Sequence, residues 1–340
     1  MTARTILAGL LALAAGSLFL PPRHANDAAR APAAPRARVG LVFDVGGRGD
    51  KSFNDAAYEG LLRAERELGV EIRYLEPGGT EDREAALRLF AAQKLDIVIG
   101  VGFIFSSDVD AVARAHPSVR FACVDYAPSE GAMPPNVLGL DFREEEGSFL
   151  VGAAAGALSK TGHVGFVGGM TIPLIRKFEA GYGAGVRSTC PTCVVHAGYA
   201  GSTPEAFKDP AKGKLLATGQ IAAGADVIFH ASGSTGHGVF EASREGGVRA
   251  IGVDADQYDE MPGVVVTSMV KRVDVAVFEA IRSAVDGTFT GGVRRLGLAE
   301  SGVDWVHDGP HGAGLPPAVV TRVEALRADV IAGRITVPSE

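Results

Sequence analysis

Three aspartates stand where an apolar run ends and a turn begins. Asp44 closes the run that starts at Arg38, Asp125 follows Phe121-Ala-Cys-Val, and Asp254 follows Ile251-Gly-Val. A carboxylate accepts charge-assisted hydrogen bonds, so acids at such ends suit ligand hydroxyls and amino groups. A helix cap or a salt bridge accounts for any one of them equally well; three together point to a polar binding site. Ser52-Phe53-Asn54-Asp55 opens a helix, and Ser52 with Asp55 three residues on reads as a capping pair. That leaves Phe53 and Asn54. An aromatic in the first turn, beside a strand end, faces a cleft more readily than a core, and the Asn54 amide offers a donor and an acceptor. Thr171-Ile172-Pro173 enters a second helix with Pro in its first turn. Phe178 on that helix is by itself a core residue. Lys271 sits at a helix start, where a cation is unfavourable unless it has a partner; the plain alternative is a surface lysine.

Catalytic and cofactor motifs fail on their spacing. Gly46-Gly-Arg-Gly-Asp50-Lys51-Ser52 resembles a phosphate loop, but Asp50 and Val45 occupy the two positions that must be glycine. Gly233-Ser-Thr-Gly236-His-Gly238 resembles a dinucleotide fingerprint with Glu241 in place of the last glycine. Its amides could meet a ligand oxygen, or it is a tight turn. There is no Gly-x-Ser-x-Gly elbow and no His-Glu-x-x-His, and the eight histidines lack metal-ligand spacing. No cofactor, no metal and no enzymatic activity are expected. Cys190-Pro-Thr-Cys193 reads as a local disulfide in a loop, and Cys123 as a buried thiol within a strand.

The elements that must position these residues alternate. Valine- and isoleucine-rich runs at 38–44, 71–75, 96–101, 119–124 and 137–140 are interleaved with helical patterns. After a long helix over 144–158 the rhythm repeats, with runs at 163–167, 194–199, 226–231 and 248–253. Such runs read as parallel strands covered on both faces. Two series imply two open, doubly wound α/β lobes, each binding outside the carboxyl ends of its strands, with a shared ligand in the cleft between them. Past Gly263 the pattern changes: a strand at 264–267, a helix at 270–285, a strand at 293–298 and a closing helix at 316–331. This tail is too short for a third domain and is expected to complete both lobes.

Length and charge agree with that reading. A chain of 340 residues suits about two domains. Its net charge of −7 opposes nucleic-acid binding, and 46% apolar residues can build large cores. Arg4, the apolar run Ile6–Leu20 and Pro21-Pro22 have the form of an export signal, with Ala25 or Ala28 as cleavage positions, followed by a linker. The mature protein is therefore expected in the periplasm or another extracytoplasmic space. It would be soluble after cleavage, or tethered if the signal is kept. No cysteine lies near the end of the apolar run, so a lipoprotein is not expected.

The string Asp44-Val-Gly-Gly-Arg-Gly-Asp50-Lys51-Ser52-Phe53-Asn54 resembles the signature of the basic membrane protein family. These are substrate-binding proteins of ABC importers and include purine-nucleoside receptors. Gly168-Gly169 through Pro173 to Phe178 and Gly181 fits as well, as do Gly252-Val-Asp254-Ala-Asp256-Gln257 and Thr267-Ser-Met-Val-Lys271-Arg-Val-Asp274. The resemblance runs in order from about Val39 to Gly302. It implies a type I periplasmic binding protein, with two Rossmann-like lobes joined by three crossings around an interlobe cleft. On this basis residues 1–36 are signal peptide and linker. Lobe 1 is 37–142 plus 269–290, and lobe 2 is 143–268 plus 291–340. The resemblance further implies a monomer that holds a purine nucleoside and delivers it to an ABC permease. Phe53 and Phe178 would stack on the two faces of the base, Asn54 and Asp125 would read its edge, and Asp44 would add a polar contact. Asp254 would hold the ribose hydroxyls, with Lys271 nearby. Two rivals stay open: another aromatic ligand such as a flavin, which some relatives bind, and a ligand-sensing protein of the same fold.

Overall fold

The computed structural model describes residues 35–78, 82–128 and 131–340. Of the expected signal and linker only Pro35 and Arg36 are described; the rest lies outside the described residues. The first series is β1 (Arg38–Val42), α1 (Phe53–Leu68), β2 (Glu71–Leu75), α2 (Asp82–Ala92), β3 (Ile97–Val101), α3 (Ser106–Ala115), β4 (Arg120–Val124) and β5 (Val137–Phe142). The second is α4 (Glu144–Leu158), β6 (His163–Met170), α5 (Pro173–Thr189), β7 (Val194–Gly201), α6 (Pro210–Ala222), β8 (Val227–Ala231), α7 (Gly236–Gly246), β9 (Arg249–Asp254) and β10 (Val265–Lys271). The tail adds α8 (Val273–Val285), β11 (Gly292–Leu296), β12 (Val303–Trp305), α9 (Gly309–Gly312) and α10 (Pro317–Ile331).

Continuous apolar runs become central strands because both faces of each sheet are covered. β3 and β8 are buried at every position. The strands form two six-stranded sheets, in the orders β11-β5-β4-β3-β1-β2 and β12-β10-β9-β8-β6-β7. All pairings are parallel except β10 with β12. Within each sheet the chain winds to one side first (β1 to β2, β6 to β7) and then crosses to the other. That reversal opens a crevice between β1 and β3 and another between β6 and β8, where ligands settle in open α/β sheets.

The tail departs from the expected boundaries. β10 runs on to Lys271 inside the second sheet, and α8 starts only at Val273. α8 lies against α1 of the first lobe, so closely that a Cβ on Gly60 would stand 2.4 Å from the Asp274 carbonyl oxygen. β11, expected in lobe 2, pairs with β5 along the edge of the first sheet from Gly292↔Leu138 to Leu296↔Phe142. The third crossing therefore falls after Leu296. An edge strand covering unpaired backbone groups is chosen by the edge it fits, and local pattern does not encode that edge.

α4 and α5 are packed backbone to backbone through glycine. A Cβ on Gly152, Gly181 or Gly185 would come within 2.2, 2.1 or 2.0 Å of the carbonyl oxygens of Tyr182, Glu145 and Phe149. Among the described residues, no helix is long and apolar enough to cross a membrane. Cys190 and Cys193 form a disulfide between α5 and β7, with Cα atoms 5.4 Å apart, and Cys123 is a buried free thiol.

Candidate functional site

Strand ends of both sheets converge on one cavity. It is lined by Asp44 and Val45 after β1, Asp50, Phe53 and Asn54 at the start of α1, Phe103 after β3, and Asp125 after β4. From the second lobe come Leu174, Ile175 and Phe178 of α5, Phe207, Ala231 to Gly233 after β8, Val253 and Asp254 ending β9, and Lys271 ending β10. The space between these side chains is ≈ 580 Å³ when its opening to solvent is counted. All seven residues singled out for ligand contact line this cavity.

The turn that presents Phe53 is built differently from the sequence expectation. Ser52 makes no cap bond to α1. Asp50 does the capping: its carboxylate accepts from the backbone N–H of Ser52, Asn54 and Asp55 at 3.0, 2.8 and 3.2 Å. Asp55 turns outward and accepts from the N–H of Gly49 and Lys51. Ser52, fully buried, donates instead to Asp254 of the other lobe at 3.4 Å. Asn54 is largely committed within its own lobe. Its Oδ1 accepts from the Asp44 N–H at 3.0 Å and its Nδ2 donates to Asp50 at 3.1 Å.

Asp125, just past β4, and Asp254, the last residue of β9, stand at the carboxyl ends of the fourth strands of the two series, and both take left-handed backbone, with φ of 57° and 65°. This region is sparsely used by residues other than glycine and is tolerated best by Asn and Asp. It turns each carboxyl away from the strand and toward the cavity. Burial pushes Asp44 up to about 7, against the Val45 N–H bond that favours its charge, with the Asp125 charge adding to the rise. Burial likewise raises Asp254 to about 7, with Lys271 opposing. Lys271 is almost wholly buried, with its Nζ 2.6 Å from Asp125 and 3.0 Å from Glu144. Burial works against its charge, but Asp125, Glu144 and Asp254 outweigh that and hold its pKa above the ordinary lysine value. The ammonium also lies 5.1 and 5.7 Å from the ring centres of Phe53 and Phe178, within cation–π range.

Phe103, Phe207, Ser232 and the capping Asp50 went unseen in the sequence, as did Glu144 behind Lys271. Phe103 follows β3 at the topological switch point and could have been found by that rule. Phe207 lies in a short turn between β7 and α6 and carries no local signal; its ring packs on Gly169, whose Cβ would meet it at 2.4 Å. The cavity offers carboxylates, an ammonium and aromatic rings, a set suited to a neutral, flat ligand that carries hydroxyl or amino donors. Among the described residues no group of three or more His, Cys, Asp or Glu could hold a metal ion.

Two facing α/β lobes around such a cavity are the architecture of solute-binding proteins of the periplasmic type. A solved solute-binding protein of an ABC transporter system from Aeropyrum pernix has the same fold, with a TM-score of 0.81 and 30% identity over 89% of this chain and 94% of that one. Residues 37–324 match the Bmp family, described as ABC transporter substrate-binding protein PnrA-like, and the chain belongs to that family. It is 31% identical to the ABC transporter nucleoside-binding protein BmpA of Lactococcus lactis, over 89% of each chain. It is 38% identical to an uncharacterized lipoprotein of Pyrococcus abyssi, over 81% of this chain and 70% of that one. The last name runs against the expectation of a chain without a lipid anchor.

Proposed function

We propose that this substrate-binding protein works outside the cytoplasm and holds a purine nucleoside in its interlobe cavity for transfer to an ABC permease. The observation that carries the reading is the composition of one cavity wall to wall. Phe53 comes from one lobe and Phe178 from the other, with Asp44 and Asp125 on the first side and Asp254 and Lys271 on the second. Base stacking on an aromatic ring is worth ~1–3 kcal/mol and tolerates any base, whereas polar groups set identity because a mismatched buried group is costly. Asp254 is the acceptor for ribose hydroxyls, Asp125 and the free hydrogen of Asn54 Nδ2 read the base edge, and Asp44 adds a polar contact. The name of the Lactococcus lactis relative supports a nucleoside ligand. The protein binds without turnover and acts as a monomer.

Calorimetric titration with adenosine, guanosine, inosine and the matching free bases tests the reading. The wild type should bind at least one nucleoside, and Asp254→Ala should weaken nucleosides far more than bases. If no nucleoside binds, the ligand assignment falls; a yellow purified protein would point to a flavin.

A further inference from the structure

His230 in β8 is fully buried and has no place in the proposed ligand contacts. Its ring lies against Gly236, where a Cβ would come within 2.0 Å of Cε1, and edge-on to Phe240 at 5.0 Å between ring centres. The Gly233-x-x-Gly236 turn is thus shaped around an imidazole. Both ring nitrogens are engaged: Nδ1 with Ser232 Oγ at 3.2 Å and Nε2 with Gln257 Oε1 at 3.0 Å.

The hydrogen positions follow from one backbone group. The Val253 N–H donates to Gln257 Oε1 at 2.8 Å, so that atom is the oxygen of the amide. Nε2 of His230 must then carry the proton and donate to the same oxygen. Nδ1 is left bare and accepts from the Ser232 hydroxyl. With its hydrogen spent, Ser232 turns only lone pairs toward the cavity it lines. At the other end the Gln257 amide nitrogen donates to the Lys51 carbonyl of the first lobe at 3.1 Å. Lys51 holds that carbonyl in left-handed backbone, with φ of 55°.

We propose that His230 and Gln257 are positioning residues: they fix Ser232 as an acceptor-only hydroxyl toward the ligand and tie that wall to the Lys51 carbonyl of the opposite lobe. Ligand polarity and lobe closure are then read by one continuous relay, which deepens the nucleoside reading and rests on it for the choice of probe. A neutral imidazole is required throughout, and burial depresses the His230 pKa to about 3.

The test pairs nitrogen NMR of the histidine rings with stopped-flow release of adenosine, guanosine or inosine, whichever binds. The His230 signal is identified by its loss in His230→Phe. In the wild type it should report the neutral Nε2–H form between about pH 5 and about pH 8. Gln257→Met should lose that fixed form and release the nucleoside roughly tenfold faster, the worth of about one buried hydrogen bond, with association unchanged. His230→Phe and Ser232→Ala should also speed release. A ring protonated on Nδ1, or charged in that pH range, overturns the proposal. So does an unchanged release rate in both Gln257→Met and His230→Phe. If the wild type binds none of the three nucleosides, the nucleoside reading fails. The ring signal and the small-angle scattering radius of unliganded Gln257→Met, expected to exceed that of the wild type, then decide the relay.

Discussion

The Lys271 ammonium, at the end of β10 in the second sheet, lies 2.6 Å from the Asp125 carboxylate, at the end of β4 in the first. Glu144, at the start of α4 just after the first crossing, takes the same ammonium at 3.0 Å and passes its other oxygen to Lys177 at 3.3 Å. A charge buried this deeply is tolerable only in company. Removing Lys271 strands the Asp125 carboxylate and leaves Glu144 with Lys177 alone, and breaking a buried pair from one side costs about 3–5 kcal/mol. Lys271→Met should therefore lower the unfolding free energy by about that amount. The double variant Lys271→Met, Asp125→Asn should recover part of the loss. Urea unfolding of the wild type, both single variants and the double variant measures this, and additive losses would show that the pair is not coupled.

The two aromatic rings should carry much of the affinity. Phe53→Ala and Phe178→Ala are each expected to weaken nucleoside binding by roughly tenfold to a hundredfold, the equivalent of ~1–3 kcal/mol of stacking. Silence in both titrations would remove the sandwich and leave the fold untouched.

Acid should stabilise the unliganded protein. Asp44 and Asp254 are raised from 3.8 to about 7 by burial. Between those values the folded chain keeps protons that the unfolded chain has lost. Their contribution is complete below the unfolded value and disappears as the pH rises through about 7. Stability should thus rise on going from about pH 8 to about pH 5, by up to about 1.4 kcal/mol per pH unit for each group within its window. Urea midpoints across that range measure it. Asp44→Asn should flatten the profile, and a wild-type profile already flat would contradict the burial argument.

The α4–α5 contact tolerates no side chain. A Cβ on Gly185 would press to 2.0 Å from the Phe149 carbonyl, and overpacking of this kind costs about 1–3 kcal/mol. Gly185→Ala should lower the melting temperature, while Gly219→Ala on α6, where a Cβ meets nothing, should hold or raise it by filling a helix position with a better helix former.

The Cys190–Cys193 disulfide closes a four-residue loop remote from the cavity-lining residues. Replacing both cysteines by serine should cost no more than about 2 kcal/mol of stability and leave the nucleoside affinity at its wild-type value. A variant that folds but no longer binds would link the loop to the site.

The alternation of strands and helices was legible because the central strands are apolar runs and helices such as α1, α3, α5 and α7 place their apolar residues at helical spacing, patterns that local burial writes directly. The order of elements through β9, and the chemistry gathered at strand ends, follow from the sequence for that reason. Partner choice is a different kind of information. β11 could have joined either sheet by its pattern, and only the open edge beside β5 decided it. Ser52 reads as a cap in sequence, yet Asp50 caps and Ser52 crosses to Asp254, because a hydroxyl facing a carboxylate across the cavity has a partner that lies 202 residues away in the chain. Phe207, Glu144 and the His230–Gln257 pair escaped for the same reason. Their roles consist of contacts between segments distant in the chain, made once two sheets have closed on each other, and no spacing within any one segment encodes such contacts.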